Sequence, residues 1–170
     1  MNFCPQCGSP VEERPVDGVV RKACTGAGCG FVHWDNPTPV VMALVEVEGR
    51  YVLARNVQWP GGMFSVIAGF LERGEAPEDA VLREVEEELG VRGSEAIFLN
   101  HYSLFSRNQL LLAYLVRAAG TVRLNEELAE ALLLSRDELL AYDFGPLHIP
   151  ADIVRRSLEA RPPGPAASTA

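Results

Sequence analysis

Apolar positions in this chain recur with two periods, and the change from one to the other divides it into strands and helices. Residues 40–47 (VVMALVEV) form a nearly unbroken apolar run. Residues 51–54 form a second one, separated from the first by Glu48-Gly49-Arg50. Two short apolar runs around a glycine turn predict paired strands. Residues 56–64 hold Pro60-Gly61-Gly62 and read as a loop, and 65–68 as a short strand delivering the chain to Gly69. The period then lengthens: Val81, Val85 and Leu89 repeat every fourth residue with Leu82 beside them. That is the stripe of a helix with one buried face. Pro77 suits its first turn, Glu78 and Asp79 favour its positive end, and Gly90 is the expected stop.

Farther on, residues 96–102 and 109–118 predict two paired strands around a loop over 103–108. The second of them carries LLLAYLV, the composition of a strand buried on both faces. Glu126, Glu127 and Glu130 precede an apolar stretch at 131–134. Ser135-Arg136-Asp137-Glu138 is a capping box opening a helix over 136–141. Residues 150–160 read as a last helix, and 161–170 (RPPGPAASTA) as a disordered tail. The order of elements is that of an α/β domain, and no internal repeat is visible.

The chemistry sits on the predicted helix after Gly69. At about 100° per residue, Glu84, Glu87 and Glu88 share one face while Glu86 points elsewhere. Carboxylates stacked this way repel each other. A divalent cation removes the conflict, and magnesium prefers hard oxygen ligands completed by water and phosphate. A solvated acidic stripe is the plain alternative, but such stripes usually alternate with basic residues, and here Arg83 stands alone.

Spacing settles the choice. Gly69, then Glu75, then Arg83-Glu84, then Glu87-Glu88 and Gly90 match the signature of the Nudix hydrolases at every fixed position. The resemblance implies the Nudix fold, a mixed β-sheet sandwiched between helices. It also implies cleavage of a nucleoside diphosphate linked to a further group, by water activated on a metal. Glu84, Glu87 and Glu88 would hold Mg2+ or Mn2+, one of them serving as a base. Arg83 would orient them, and the carbonyl of Ala68 would add a ligand.

The N-terminus supplies a second constellation. Cys4 and Cys7, then Cys24 and Cys29, each flank a glycine-rich bend and use all four cysteines of the chain. Paired thiolates suit a tetrahedral structural zinc site. Two disulfides are the alternative, disfavoured because no apolar leader precedes them and the expected compartment is the reducing cytoplasm. His33 is a rival ligand that four cysteines leave unneeded. The chain thus divides into a zinc ribbon (1–34), a proline-stiffened linker (35–39), the main domain (40–160) and the tail (161–170).

Composition trims the function classes. The 170 residues carry a formal net charge of -8. Residues 69–91 hold eight acids and two arginines, so most of that charge lies in the proposed metal site. Residues 1–33 show no basic stripe. Loose nucleic-acid binding is therefore disfavoured, and no segment is long and apolar enough to span a membrane.

The order of parts narrows the resemblance. A four-cysteine ribbon, Asn36-Pro37-Thr38-Pro39 and then Ala68-Gly69-Phe70-Leu71-Glu72 look like the branch that contains NADH pyrophosphatases and some FAD pyrophosphatases. That branch implies a homodimer and a distant helping glutamate, matched by Glu127, with Glu126 and Glu130 as rivals. It also implies an aromatic base contact near Trp34. Tyr102, Phe105 and Arg107 are further candidates for holding a ring or a phosphate, with core packing or surface exposure as their plain alternative. The NADH pyrophosphatases carry a Trp-Pro-Phe-Pro element after the box. Residues 101–109 here lack it, so NADH preference does not follow.

The expected activity is hydrolysis of NADH, FAD or ADP-ribose to AMP and a second phosphate ester. A nucleotide sugar or the NAD cap of RNA is the rival within that class. A nucleotide-sensing module whose ribbon contacts nucleic acid or protein is the rival outside it.

Overall fold

The structure, a computed structural model, describes residues 1–159. The expected tail over 161–170 lies outside them, as does Ala160. The chain forms two compact units, Met1–Pro37 and a larger one from Thr38 onward.

The first unit is a three-stranded antiparallel sheet of β1 (Val11–Val16), β2 (Val19–Cys24) and β3 (Val32–His33), in that order. Asp17 and Gly18 both take positive φ at the β1–β2 turn (51° and 79°), the backbone that a tight hairpin requires. Little of it is buried: Cys4, Ala23 and Cys24 are its buried apolar residues. These strands gave no apolar signal because both faces of Glu12-Glu13-Arg14 and Arg21-Lys22 are largely solvated. A unit this small lacks the area to fold on hydrophobic burial alone.

The larger unit is built around β4 (Thr38–Val47). Along one side of β4, β8 (Gln109–Ala119) pairs in parallel over the whole strand. Along the other side, β6 (Ile67–Phe70) takes residues 40–43 and β5 (Arg50–Asn56) takes residues 45–47, both antiparallel. β7 (Arg92–Leu104) and β9 (Leu128–Leu134) add the two edges. β4 starts at Thr38, inside the expected linker. Pro39 has no N–H to donate, but its carbonyl accepts from Leu71 (3.3 Å), so the proline fits the strand. β6 lies two residues later than expected. Ser65 instead makes an isolated bridge with Ala54, and Gly69 is a strand residue opposite Val41.

Alternation along β4 separates two cores. Val41, Ala43 and Val45 face α1 (Pro77–Leu89), meeting Ala80, Val81, Val85 and Leu89. Val40, Met42 and Leu44 face the other way, toward Leu139 of α2 (Arg136–Leu140) and Ile153, Val154 and Leu158 of α3 (His148–Glu159). Helices thus cover both faces of a mixed sheet. The capping box forms in full: Ser135 Oγ accepts from the Glu138 amide (3.3 Å) and Glu138 Oε2 from the Ser135 amide (2.7 Å).

The end of α1 is tied down by main chain. Gly90 turns left-handed (φ 64°), and its N–H reaches the Glu86 carbonyl at 2.9 Å. The next carbonyls, of Glu88 and Leu89, accept from the amides of Asn125 (3.1 Å) and Arg123 (2.7 Å). A Cβ at Gly90 would meet the Arg123 carbonyl oxygen at 3.2 Å. Gly90→Ala should therefore cost at least the roughly 1–2 kcal/mol of a left-handed L-residue. Urea unfolding should show a lower midpoint at unchanged slope, and an unmoved midpoint would contradict this account of the cap.

Candidate functional site

Arg83 lies in the second turn of α1, and its guanidinium is spread over three acids. Nε and Nη2 grip the two oxygens of Glu75 (2.8 and 3.0 Å), while Nη1 donates to Glu84 Oε1 (2.8 Å) and Glu87 Oε2 (3.0 Å). Nη2 also donates to the Phe70 carbonyl at the end of β6 (3.1 Å). Such a planar fork sets orientation as well as charge. The Arg83 hydrogen bonds hold Glu75 below the usual carboxylate range, and the pairing in turn raises the pKa of Arg83. Glu75 also accepts from the Glu72 amide (3.2 Å), which fixes the segment between β6 and α1. Sequence reasoning gave Glu75 no role of its own, although its spacing from Gly69 and Arg83 was in plain view.

β6 passes so close to this group that a side-chain carbon on Gly69 would overlap the Glu84 carboxyl. Any larger residue there would push the Glu84 carboxyl out of this position. Its pKa is raised, by burial first, with Arg83 pulling the other way and Glu87 and Glu127 adding to the rise. Ala68 precedes Gly69 and is exposed, in register with Met42.

Glu88 is the most confined acid of the group, with 8% of its surface exposed. Burial, then the like charges of Glu84, Glu127 and Glu87, push its carboxyl up to about 8. Glu127 reaches this group because residues 123–125 are bonded to the end of α1. The Glu127 amide then donates to Asn125 Oδ1 (3.0 Å) and its carbonyl accepts from the Val57 amide (2.8 Å). Of its rivals, Glu130 pairs with Arg55 (3.1 Å), and Glu126 is exposed, as Glu127 itself is.

The chemistry of this donor set suits a hard divalent cation: several carboxylates, one of them buried among like charges. The acids are spread more widely than the cysteines. Among the described residues, only Cys4, Cys7, Cys24 and Cys29 form a group of such ligand atoms all within 4.8 Å of one another.

The cysteine group is unbridged. Cys4 and Cys29 sulfurs lie 3.7 Å apart and those of Cys7 and Cys24 3.4 Å apart. A disulfide needs about 2.05 Å, whereas a tetrahedron of sulfurs at about 2.3 Å from zinc has edges of about 3.8 Å. The donor set therefore fits zinc. Backbone amides of Gln6 and Gly26 point at Cys4 and Cys24 (3.4 and 3.2 Å). Hydrogen bonds from Ser9, side chain before backbone, lower Cys7 to about 6. At Cys24 the Gly26 amide acts downward, but burial and the other thiols outweigh it and push the group up to about 12. His33 lies toward Asp35 (3.7 Å), outside this group.

Of the four ring and phosphate candidates, Trp34 belongs to the first unit, and Tyr102, Phe105 and Arg107 lie at the end of β7 and in the turn after it. The Arg21 guanidinium lies 4.9 Å from the centre of the Trp34 ring. Tyr102, on β7, donates its hydroxyl to Asp152 of α3 (2.8 Å). Burial acts to raise Asp152, but Arg156, Arg155 and Tyr102 together hold it at about 2. The Tyr102 hydroxyl is thus engaged in holding α3 to the sheet. Phe105 and Arg107 share a single 3-10 turn (Phe105–Arg107), with Phe105 90% exposed. Trp59 is half-exposed in the loop after β5, its carbonyl held by Arg55 (3.2 Å). A cleft of about 240 Å³ opens between that loop and the α2–α3 connection, which sequence reasoning did not foresee.

Comparison with known proteins bears on this arrangement. A NUDIX domain model matches residues 36–152. Among curated proteins, the chain is similar to the NAD-capped RNA hydrolase NUDT12 of Homo sapiens (30% identity over 148 residues, 81% of this chain and 32% of the relative). It is also similar to the NAD-capped RNA hydrolase NudC of Vibrio atlanticus (32% over 120 residues, 71% of this chain and 43% of the relative). The chain thus spans less than half the length of these relatives. Among solved structures, a NUDIX hydrolase from Nitrosomonas europaea superposes with a TM-score of 0.79 at 26% identity, covering 95% of this chain and 92% of that one. The ORF135 protein of E. coli shares the fold, with a TM-score of 0.60 at 24% identity over 77% of this chain and 95% of that one. With its box, sheet and helices in this order and the domain model covering most of its length, the chain belongs to the NUDIX family.

Proposed function

We propose that this protein is a metal-dependent pyrophosphohydrolase that cleaves a nucleoside diphosphate linked to a further group, releasing AMP where the nucleoside is adenosine. The observation that carries the reading is Glu88, a buried carboxyl on which the charges of Glu84, Glu127 and Glu87 all act. Burying like charges this way is unfavourable unless a cation joins them.

Glu84, Glu87, Glu88 and Glu127, with the Ala68 carbonyl, would hold Mg2+ or Mn2+. When bound, the metal supplies Lewis acidity toward the diphosphate and lowers the pKa of coordinated water. Arg83 keeps Glu84 and Glu87 in one orientation before substrate arrives, and Glu75 anchors Arg83. Gly69 lets the β6 backbone lie against Glu84. Overall, water adds to one phosphorus, the bridging P–O bond breaks, and a dinucleotide leaves as AMP and a second mononucleotide. Cys4, Cys7, Cys24 and Cys29 would hold a structural Zn2+, and the homodimer implied by the ribbon-bearing branch belongs to the same proposal.

The substrate we favour is an NAD-type dinucleotide, with FAD and ADP-ribose as the other members of the class. A second reading, the NAD cap at an RNA end, draws support from the names of the similar curated proteins. It stands against the expectation from net charge that nucleic acid is not a partner. Both readings break the same bond.

A hydrolysis panel with Mg2+ or Mn2+ checks the proposal. NADH, NAD+, FAD, ADP-ribose, a nucleotide sugar and an NAD-capped RNA would be compared by kcat/KM. Glu87→Gln should lower kcat by two or more orders of magnitude with its unfolding midpoint little changed. Absence of turnover with either metal would remove the catalytic reading.

Glu88 supplies a pH signature. Its folded-state pKa of about 8 is raised above its unfolded value, so the native protein binds more protons between the two. Stability of the magnesium-free protein should then fall as pH rises from the ordinary carboxylate range to about 8. Glu88→Gln or added Mg2+ should flatten that slope, as read from urea midpoints. Equal slopes in all three samples would contradict the burial account.

Metal analysis offers a separate check on the ribbon. One zinc per chain should be found, resistant to mild chelation and lost on Cys24→Ser. Full binding of zinc by the serine variant would contradict the four-thiolate site.

A further inference from the structure

We propose that Arg55 is a positioning residue for the metal site: it fixes a bulge in β9 and so sets how Glu127 approaches Glu84 and Glu88. The proposal rests on the pyrophosphohydrolase reading for the cation that these acids would share.

Glu127 differs from the other acids in how it is held. Glu84, Glu87 and Glu88 project from α1, whereas Glu127 lies just before β9 and is exposed, so packing does not orient it. Main chain does. Its amide donates to Asn125 Oδ1 (3.0 Å), and its carbonyl accepts from the Val57 amide (2.8 Å). From this position its charge acts on both Glu84 and Glu88.

The strand that follows is irregular. Asn56 of β5 pairs with Leu128 and Arg55 with Glu130, so the register passes over Ala129. An extra residue of this kind bends its strand and re-aims the side chains beside it. Closing the bulge by a one-residue slip would move Glu127 off the Val57 amide and turn its side chain to the other face.

Arg55 is placed to prevent that slip. Its Nη2 donates to Glu130 Oε1, just past the bulge (3.1 Å), and its Nη1 donates to the Trp59 carbonyl (3.2 Å). Trp59 closes a turn by donating its amide to the Asn56 carbonyl (3.0 Å), and Val57, the anchor of Glu127, sits inside that turn. One planar fork thus joins the residue after the bulge to the segment that holds the residue before it.

Stability alone does not account for this arginine. Its side chain is 14% exposed, and its Nε is buried with no hydrogen-bond partner among the described residues. A buried donor left unpaired opposes folding. An ion pair to an exposed carboxylate such as Glu130 offsets little of that.

The sign of the effect on metal binding separates positioning from charge. By charge alone, removing a cation near a cation site tightens metal binding. Loss of position weakens it. Mn2+ affinity would be measured by electron paramagnetic resonance on four zinc-loaded proteins: the unaltered chain, Arg55→Met, Glu127→Gln and the double variant. We expect Arg55→Met to bind Mn2+ about threefold or more weakly, and the double variant to match Glu127→Gln within about twofold, because Arg55 acts through Glu127. Arg55→Lys keeps the charge without the fork and should weaken binding as Arg55→Met does. Amide exchange gives a readout without Mn2+. Protection of Val57 should fall by about tenfold or more in Arg55→Met, while that of Arg123, bonded to the Leu89 carbonyl, stays within about twofold.

Equal or tighter Mn2+ binding by Arg55→Met would overturn the role and leave the hydrolase reading standing. So would weakening that adds in full to that of Glu127→Gln, or unchanged protection of Val57. Mn2+ binding that depends on Arg55, in a protein that turns over no nucleotide, would sink the hydrolase reading and leave the role intact. No Mn2+ on the unaltered chain would end both.

Discussion

The arrangement of the larger unit depends on one conflict of charge and how the chain contains it. Glu84 and Glu88 are brought together where burial raises the cost of ionising them, and the charges of Glu87 and Glu127 add to it. Arg83 relieves only part of that cost, since its guanidinium is divided among Glu75, Glu84 and Glu87. A site of this kind is stable only if its framework is stiff. The stiffness comes from the valine and leucine stripe of α1, the two-sided core around β4, and the main-chain bonds that fasten residues 123–125 to the last turn of α1. Strain at a functional site is here carried by packing elsewhere.

The same framework explains why distant parts of the sequence meet. β6 ends against Arg83 through the Phe70 carbonyl and lies against Glu84 through Gly69, so strand and helix fix each other. Glu127 is held from two directions, by the Asn125 side chain and by Val57 at the start of the loop after β5. That loop also forms one wall of the cleft over residues 60–64 and 142–147. No described helix is long and apolar enough to cross a membrane.

Much of this was legible in the sequence where a single period or a fixed spacing carried it. The limits of α1 follow from Pro77 and Gly90 and a stripe repeating every four residues. Glu84, Glu87 and Glu88 share a face by helical arithmetic alone. The capping box at Ser135 formed bond for bond. What was not legible depended on pairing across the sheet. The ribbon strands carry charged residues on both faces, so no alternation marks them. The start of β4 at Thr38 is hidden by Pro37 and Pro39, which read as linker until β8 and the Leu71 amide supply partners. Glu75 as the chief partner of Arg83, and Asp152 as the partner of Tyr102, are contacts between elements that no local pattern encodes. The cleft arises from two loops about 80 residues apart in the chain, 60–64 and 142–147.

The claim at the centre of this account is that Glu88 and the acids around it form one divalent-cation site. Its most direct test is Mn2+ binding followed by electron paramagnetic resonance on the zinc-loaded protein, the unaltered chain beside a Glu84→Gln and Glu88→Gln double variant. Mn2+ bound by the unaltered chain, displaced by excess Mg2+ and lost in the folded double variant, is the predicted result. Equal Mn2+ binding by both proteins would place the cation elsewhere and contradict the account.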